Sequence, residues 1–278
     1  MIVTRFAPSP TGWLHLGHAF AALFAEREAR RGAGRFLLRM EDIDPTRVRP
    51  GYEQAIYDDL AWLGLEWETP VRRQSEHLED YRGALEKLQA LGVLYPCFCT
   101  RKEIMEEIAR AGSAPHGPDG PLYPGTCREL TVCERERKIA LGLPYAMRLD
   151  VRKAMQKAGQ ALRWHDREHG GHVASPDIFG DVVLARKETP CSYHLCVVVD
   201  DAMQGITLVT RGEDLLEATH LHRLLQSLLG LPVPEWHHHR LIMDDTGRRL
   251  AKRDDARSLK KLREDGWTVE KVRSFLAV

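Results

Sequence analysis

The stretch that most restricts how this 278-residue chain can fold lies near its start: Arg5-Phe6-Ala7-Pro8-Ser9-Pro10-Thr11-Gly12-Trp13-Leu14-His15-Leu16-Gly17-His18. The run from Met1 to Phe6 is mostly apolar and predicts a short strand. Pro8 and Pro10 then exclude helix, because each fixes φ and drives the residue before it toward extended geometry. Gly12 permits a tight turn, and from His15 an apolar, alanine-rich segment to about Arg31 predicts a helix. Strand, short loop and helix start make a ready anion site, with backbone N–H groups and the positive dipole end facing the ligand. His15 and His18 are three apart, share one face of the first turn, and are placed to donate to phosphate oxygens. A histidine near a helix start is more often a surface or packing residue than a ligand-binding one; the pair, in a loop rich in Pro and Gly, shifts that balance toward the anion. Neither G-x-x-x-x-G-K-[ST] nor G-x-G-x-x-G after a strand occurs, so a nucleotide here needs another device.

Taken in order, Arg35 to Met40 predicts a second strand, ending at Glu41-Asp42-Ile43-Asp44-Pro45. Strand, helix, strand with short links is the βαβ pattern of a parallel sheet in an α/β fold. Ligands bind beyond the carboxyl ends of such strands, so Arg5 and Glu41 are expected to face one crevice. Alone, Glu41 reads as a solvated loop acid. Gly51 to Leu63 and Ser75 to Leu91 carry apolar residues at helical spacing, with Gly64 and Gly92 where C-terminal caps belong, and both helices are expected to cover the sheet. At Tyr95-Pro96-Cys97-Phe98-Cys99-Thr100 the pattern breaks, and an insertion is expected from there to about Asp181. The division is then a split α/β unit at 1–95 and 182–240, an inserted subdomain at 96–181, and a C-terminal segment at 241–278. Asp181 to Arg186, Tyr193 to Val199 and Ile206 to Val209 read as strands, and Leu215 to Leu229 as a helix closed by Gly230. Glu134 to Lys138 reads as a solvated helix face. From Leu241 the chain is basic and predicts two short helices.

Forty basic side chains balance forty acidic ones, which excludes no partner class, since binding depends on where charge sits. No apolar run is long enough to span a membrane and no basic-then-apolar leader occurs, so a cytoplasmic protein is expected. Six cysteines without a leader read as reduced or metal-bound. Cys97-x-Cys99 with Cys127 offers three soft ligands for a tetrahedral metal, and Tyr123, His116 and Cys133 are candidates for the fourth. Cys191 and Cys196 read as core. Lys252, in Gly247-Arg248-Arg249-Leu250-Ala251-Lys252-Arg253, lies in a cationic loop able to close over phosphates, although such a loop alone reads as solvated. His237, His238 and His239 are consecutive, so in an extended chain they alternate faces and cannot all chelate one ion.

Together these motifs resemble the class I aminoacyl-tRNA synthetases. The first loop with His15-Leu16-Gly17-His18 and the Lys252 loop carry that likeness. Arg39-Met40-Glu41-Asp42-Ile43-Asp44, Tyr193, Val197-Val198-Val199-Asp200-Asp201 and Arg211-Gly212-Glu213-Asp214 resemble the glutamyl branch, in its order, over nearly the whole chain. Full glutamyl-tRNA synthetases continue into a helical anticodon-binding region, whereas this chain stops 26 residues past Lys252. That compactness, with Cys-x-Cys and Tyr-x-x-x-Cys, resembles the glutamyl-Q tRNA(Asp) synthetase family, which joins glutamate to queuosine in the tRNA(Asp) anticodon. The resemblance implies a Rossmann-like parallel sheet with helices on both faces, an inserted zinc-bearing α/β subdomain and a short helical C-terminal extension. It implies Arg5, Ala7, Ser9, Glu41, Tyr193 and Arg211 along the glutamate, His15, His18 and Lys252 on ATP, and one zinc on Cys97, Cys99, Tyr123 and Cys127. Mg²⁺ with ATP, queuosine-bearing tRNA(Asp) as partner and a monomer are expected. A truncated glutamyl-tRNA synthetase charging the 3′ end of tRNA(Glu), or a silent tRNA-binding paralogue, are the rival readings. The sequence departs from the family at Ala251, where a loop serine is usual, and at His194, where an asparagine is common after the pocket tyrosine.

Overall fold

The structure, a computed structural model, describes residues 1–49, 51–110, 116–186, 190–243 and 258–278. The first strand, loop and helix are where the sequence places them: β1 (Val3–Phe6), α1 (Leu16–Arg31) and β2 (Arg35–Met40). β1 and β2 run parallel, with Arg5 beside Leu37 and Phe6 beside Leu38. Alternation sorts their side chains by face. Phe6, Phe36, Leu38 and Met40 join α1 in one core, while Val3 and Leu37 face the other side with Trp164 and Trp236. α2 (Tyr52–Trp62) contributes Ile56 and Leu60 to the first core. Gly64 and Gly92, each just past a helix end, take left-handed φ of 73° and 70°, as a C-terminal cap requires.

β3 (Glu68–Arg73) extends the sheet beside β2, a strand the sequence did not announce because none of its residues is buried. Contrary to expectation, α3 (Leu78–Ala90) does not cover the sheet directly; its Tyr81, Ala84 and Leu88 pack in a second core with later helices. Next come β4 (Leu94–Cys97), α4 (Arg101–Arg110), the two-residue strands β5 (His116–Gly117) and β6 (Gly120–Pro121), α5 (Val132–Ala140), β7 (Ala146–Leu149) and α6 (Val151–Ala158). α5 buries none of its residues, consistent with a solvated face. β8 (Arg163–Asp166) and β9 (Gly170–Val173) form a hairpin, and β10 (Val182–Ala185) pairs with β7, which also pairs with β4.

Tyr193 to Val199 is helix, not strand: α7 runs from Tyr193 to Met203 after Ser192. Val197, Val198 and Val199 are all buried, and a helix enclosed on every side has the same unbroken apolar run as a buried strand. The strand read at 206–209 is β11 (Leu208–Gly212), and α8 (Ala218–Leu229) ends at Gly230. β12 (Glu235–His239) completes the sheet, and α9 (Leu259–Glu264) and α10 (Val269–Leu276) pack on the first core through Leu259, Leu262, Val272 and Leu276. Cys191 and Cys196 lie in the core as expected, but joined to one another as a disulfide rather than reduced.

The sheet has two halves. One is ordered β1-β2-β3 and the other β11-β12-β8-β9. They meet along β1 and β11, where the Thr207 N–H donates to the Val3 carbonyl at 3.0 Å. The chain leaves β1 in one direction and β11 in the other, which makes their carboxyl ends a topological switch point, the usual crevice of an open α/β sheet. The β8-β9 hairpin, within the span read as an insertion, joins this sheet through β12. Among the described residues no helix is long and apolar enough to cross a membrane.

Candidate active site

The switch point collects the residues singled out from the sequence. Arg5 on β1 is buried; its Nε donates to Asp201 Oδ1 at 2.9 Å and its Nη1 to the Thr210 carbonyl at 3.0 Å. Asp201 also takes Arg39 Nη1 at 2.7 Å, and Arg39 Nη2 reaches Glu41 Oε1 at 3.1 Å. One helical position deeper, Asp200 accepts from Arg72 Nε (2.7 Å), Tyr81 (2.9 Å) and Gln74 (2.8 Å). These paired charges tie α7 to β1, β2 and β3 under the crevice. Burial raises the Glu41 carboxyl, opposed by Arg39 and Arg5. The Asp201 carboxyl stays below its ordinary range against burial, because Arg5 and Arg39 flank it. The Glu41 N–H donates to the Pro8 carbonyl at 3.0 Å, drawing Glu41 beside the Ala7 to Ser9 segment. Ser9 Oγ lies 3.3 Å from Thr11 Oγ1.

Arg211 on β11 is held differently. Its Nε donates to His238 Nε2 at 3.0 Å, its Nη1 to His222 Nδ1 at 3.1 Å and its Nη2 to Thr219 Oγ1 at 2.6 Å. Among the described residues no carboxylate pairs with it. Burial pushes the guanidinium down from its ordinary value, with the Arg5 charge nearby adding to the effect. Burial and Arg211 also keep both imidazoles neutral: His222 lies well below the ordinary range and His238 is pushed down to about 3. Tyr193, at the start of α7, stands within electrostatic reach of Arg211, Glu41 and Arg5. The sequence motifs located Arg211 and Tyr193 but missed the cradle of His222, Thr219, His238 and Asp166. The histidines of 237–239 do alternate: His238 faces Arg211, while His237 and His239 turn to Phe24.

His15 and His18 are together, with ring centroids 3.9 Å apart, but their Nδ1 atoms face the helix. His15 Nδ1 accepts the Gly17 N–H at 3.0 Å and His18 Nδ1 accepts the His15 N–H at 3.2 Å. This is a capping box built of imidazoles, so two N–H groups expected to face an anion are already taken. In their neutral forms both rings then carry the proton on Nε2, the donor a phosphate oxygen would meet. Lys252 lies outside the described residues, as does Ala251. Ser258, the next described residue, bridges to His15, and the Leu259 N–H donates to the Leu14 carbonyl at 2.8 Å.

In the second cluster, Cys97, Cys99 and Cys127 present sulfurs all within 4.8 Å of one another. The Tyr123 hydroxyl lies 3.4 Å from Cys99 Sγ and accepts the Cys127 N–H at 2.8 Å. Of the three candidates for a fourth ligand, only Tyr123 is in this cluster. Cys133 is exposed on α5, and His116 on β5 is outside the group. Burial pushes the Cys99 thiol up to about 12. Cys127 is held below its usual range against burial by N–H and O–H donors, chiefly the Phe98 N–H at 3.3 Å. Three crowded sulfurs cannot all ionise unless a cation is present, so the donor set fits a soft dication such as zinc. A cavity of about 650 Å³, lined in part by Cys97, Tyr123, Arg148, Arg186 and Tyr193, extends from this cluster to the start of α7.

The fold and the crevice at its switch point agree with the class that the motifs resemble, the class I aminoacyl-tRNA synthetases. The chain belongs to the family described as tRNA synthetases class I (E and Q), catalytic domain, which it matches over residues 1–278. It is 50% identical over 286 residues to a glutamyl-Q tRNA(Asp) synthetase of Rhodobacter capsulatus, covering 100% of both chains. It is 44% identical over 272 residues to a protein of the same name from Nocardia farcinica, covering 98% of this chain and 82% of that one. A glutamate-tRNA synthetase of Elizabethkingia anophelis superposes with a TM-score of 0.77 at 28% identity, over 96% of this chain and 54% of that one.

Proposed function

We propose that this protein activates L-glutamate with ATP and transfers it to the queuosine base in the anticodon of tRNA(Asp). The observation that carries the glutamate half is Arg211, a buried cation whose described partners are all neutral, so that an incoming carboxylate supplies its counter-charge. The queuosine half rests on likeness to the glutamyl-Q relatives along the full chain.

In this reading Arg211 and Tyr193 take the side-chain carboxylate, Glu41 takes the amino group, and Arg5, Ala7 and Ser9 line the bound glutamate. The glutamate α-carboxylate attacks the α-phosphorus of ATP in line, and pyrophosphate leaves. His15 and His18 donate from Nε2 to phosphate oxygens, and Lys252 offsets charge on the leaving group. Mg²⁺ accompanies ATP as counter-charge. A hydroxyl of the queuosine ring then attacks the activated carbonyl and AMP departs. The protein contributes positioning and charge, with no enzymic nucleophile. Cys97, Cys99, Tyr123 and Cys127 hold a structural zinc within an inserted unit at 96–181, and the cavity beside Tyr193 admits the acceptor nucleoside. The protein works as a cytoplasmic monomer.

The test is to supply labelled glutamate, ATP and queuosine-bearing tRNA(Asp), then map the label by nuclease digestion. Label in the anticodon fragment is expected. Label at the 3′ end would favour a truncated glutamyl-tRNA synthetase, which the likeness to the Elizabethkingia enzyme keeps in view. Absence of any adenylate would make the chain a silent paralogue.

A further inference from the structure

Arg211 is the inner end of a hydrogen-bonded line that the glutamate reading leaves unexplained. Past Arg211, His222 Nε2 lies 3.1 Å from His194 Nδ1, and His194 Nε2 lies 3.2 Å from Asp119 Oδ2. The polarity of this line is dictated from inside. A guanidinium donates only, so His222 Nδ1 must accept from it. The proton of neutral His222 therefore sits on Nε2 and donates to His194 Nδ1. His194 in turn carries its proton on Nε2 and donates to the Asp119 carboxylate. On the other flank His238 Nε2 accepts from Arg211, and its Nδ1–H donates to Asp166 Oδ2 at 2.7 Å. One cation thus fixes the tautomers of three imidazoles.

We propose that His194, anchored by Asp119, is a positioning residue for Arg211: it fixes the tautomer and orientation of His222, and so aims the guanidinium that receives the glutamate side chain. The proposal rests on the glutamate reading given above. It joins four separate elements: the β5–β6 turn (Asp119), the first turn of α7 (His194), α8 (His222) and β11 (Arg211). Asp119 belongs to the segment that also carries the cysteine cluster, so that segment reaches the glutamate pocket by one line of hydrogen bonds. The groups in contact with His194 are Asp119, His222, Tyr193 and the apolar ring of Phe179, and Asp119 is the charged one among them. A second proton on His194 would turn its Nδ1 into a donor facing the His222 Nε2–H. His222 would then have to move its proton to Nδ1, where it meets an Arg211 donor. Asparagine at 194 offers both an acceptor for His222 and a donor for Asp119, whereas phenylalanine keeps a ring and offers neither.

The experiment measures glutamate-dependent ATP–pyrophosphate exchange without tRNA for the wild type, His194→Phe and His194→Asn. Long-range ¹⁵N–¹H NMR on the wild type reads the histidine tautomers directly. In His194→Phe the glutamate KM is expected to rise about tenfold, the worth of one buried hydrogen bond, with the ATP KM unchanged. His194→Asn should restore it to within about twofold. The spectra should show Nε2–H on His194 and His222 and Nδ1–H on His238. An unchanged glutamate KM in His194→Phe, a parallel rise in the ATP KM, or a proton on His222 Nδ1 would each overturn the proposal. A wild type that makes no glutamate-dependent exchange would instead remove the glutamate reading, and the tautomer assignment alone would then decide the wiring.

Discussion

Arg5 and Arg211 are two buried guanidiniums on neighbouring strands, and they are neutralised in opposite ways. Arg5 is paired with Asp201, which it shares with Arg39, so its charge is balanced within the fold. Among the described residues Arg211 has two imidazoles and the hydroxyls of Thr219 and Tyr193 for partners, and no carboxylate pairs with it directly. A buried charge without a counter-ion costs stability, and a fold retains one where a ligand completes the pair. The comparison separates an arginine that holds strands together from one that, in the proposed glutamate reading, receives an anion, although both are conspicuous as sequence.

The largest effect expected from this contrast is on stability. Asp201→Asn leaves Arg5 without its carboxylate and takes one from Arg39, and should cost about 3–5 kcal/mol in denaturant unfolding, the range for breaking one side of a buried pair. A loss under about 1 kcal/mol would mean that these charges are not balanced by Asp201.

A second expectation concerns acid. His238 is pushed down to about 3 in the fold, against about 6.5 in an unfolded chain. The unfolded state therefore binds the extra proton first, and stability falls as pH drops from about 6.5 toward 3, by up to about 1.4 kcal/mol per pH unit for this one group. Asp166, held below its ordinary range by N–H donors against burial, adds to the loss at the lower end of that window. His238→Gln should flatten the slope between pH 6 and 4, and an unchanged slope would mean that His238 is not buried neutral beside Arg211.

The smallest effect belongs to Thr219, the neutral oxygen on Arg211 Nη2. Thr219→Val removes one acceptor without adding charge, and should raise the glutamate KM about fivefold, near 1 kcal/mol, with the fold intact. An effect as large as that of Asp201→Asn on stability would erase the distinction between the two arginines.

How far the sequence carried this account follows from what kind of signal each part leaves. β1, α1 and β2 are legible because prolines, a glycine and clean apolar spacing all act locally. α7 is misread because Val197 to Val199 favour strand by their branching, and only enclosure by α3 and α8 makes them helical. β3 and β12 carry charged or histidine side chains in place of an apolar alternation, and their partners lie far away in sequence. Arg211 and Tyr193 came from motif order. The cradle did not, because His238 and Asp166 are 72 residues apart and meet only through strand pairing. The cysteine cluster was legible in its three sulfurs, while the choice of Tyr123 over Cys133 depended on α5 turning Cys133 to solvent. Lys252 stands on resemblance and lies outside the described residues.

The central claim is that Arg211, by virtue of its unbalanced charge, makes this crevice a glutamate site. The direct measurement is glutamate-dependent ATP–pyrophosphate exchange without tRNA in the wild type and in Arg211→Leu, with thermal unfolding followed on the same samples. Exchange in the wild type, a glutamate KM raised at least about 100-fold in the variant, and a variant no less stable than the wild type are the predicted results. Equal glutamate dependence in both proteins, or a variant that unfolds as readily as one lacking Asp201, would contradict it.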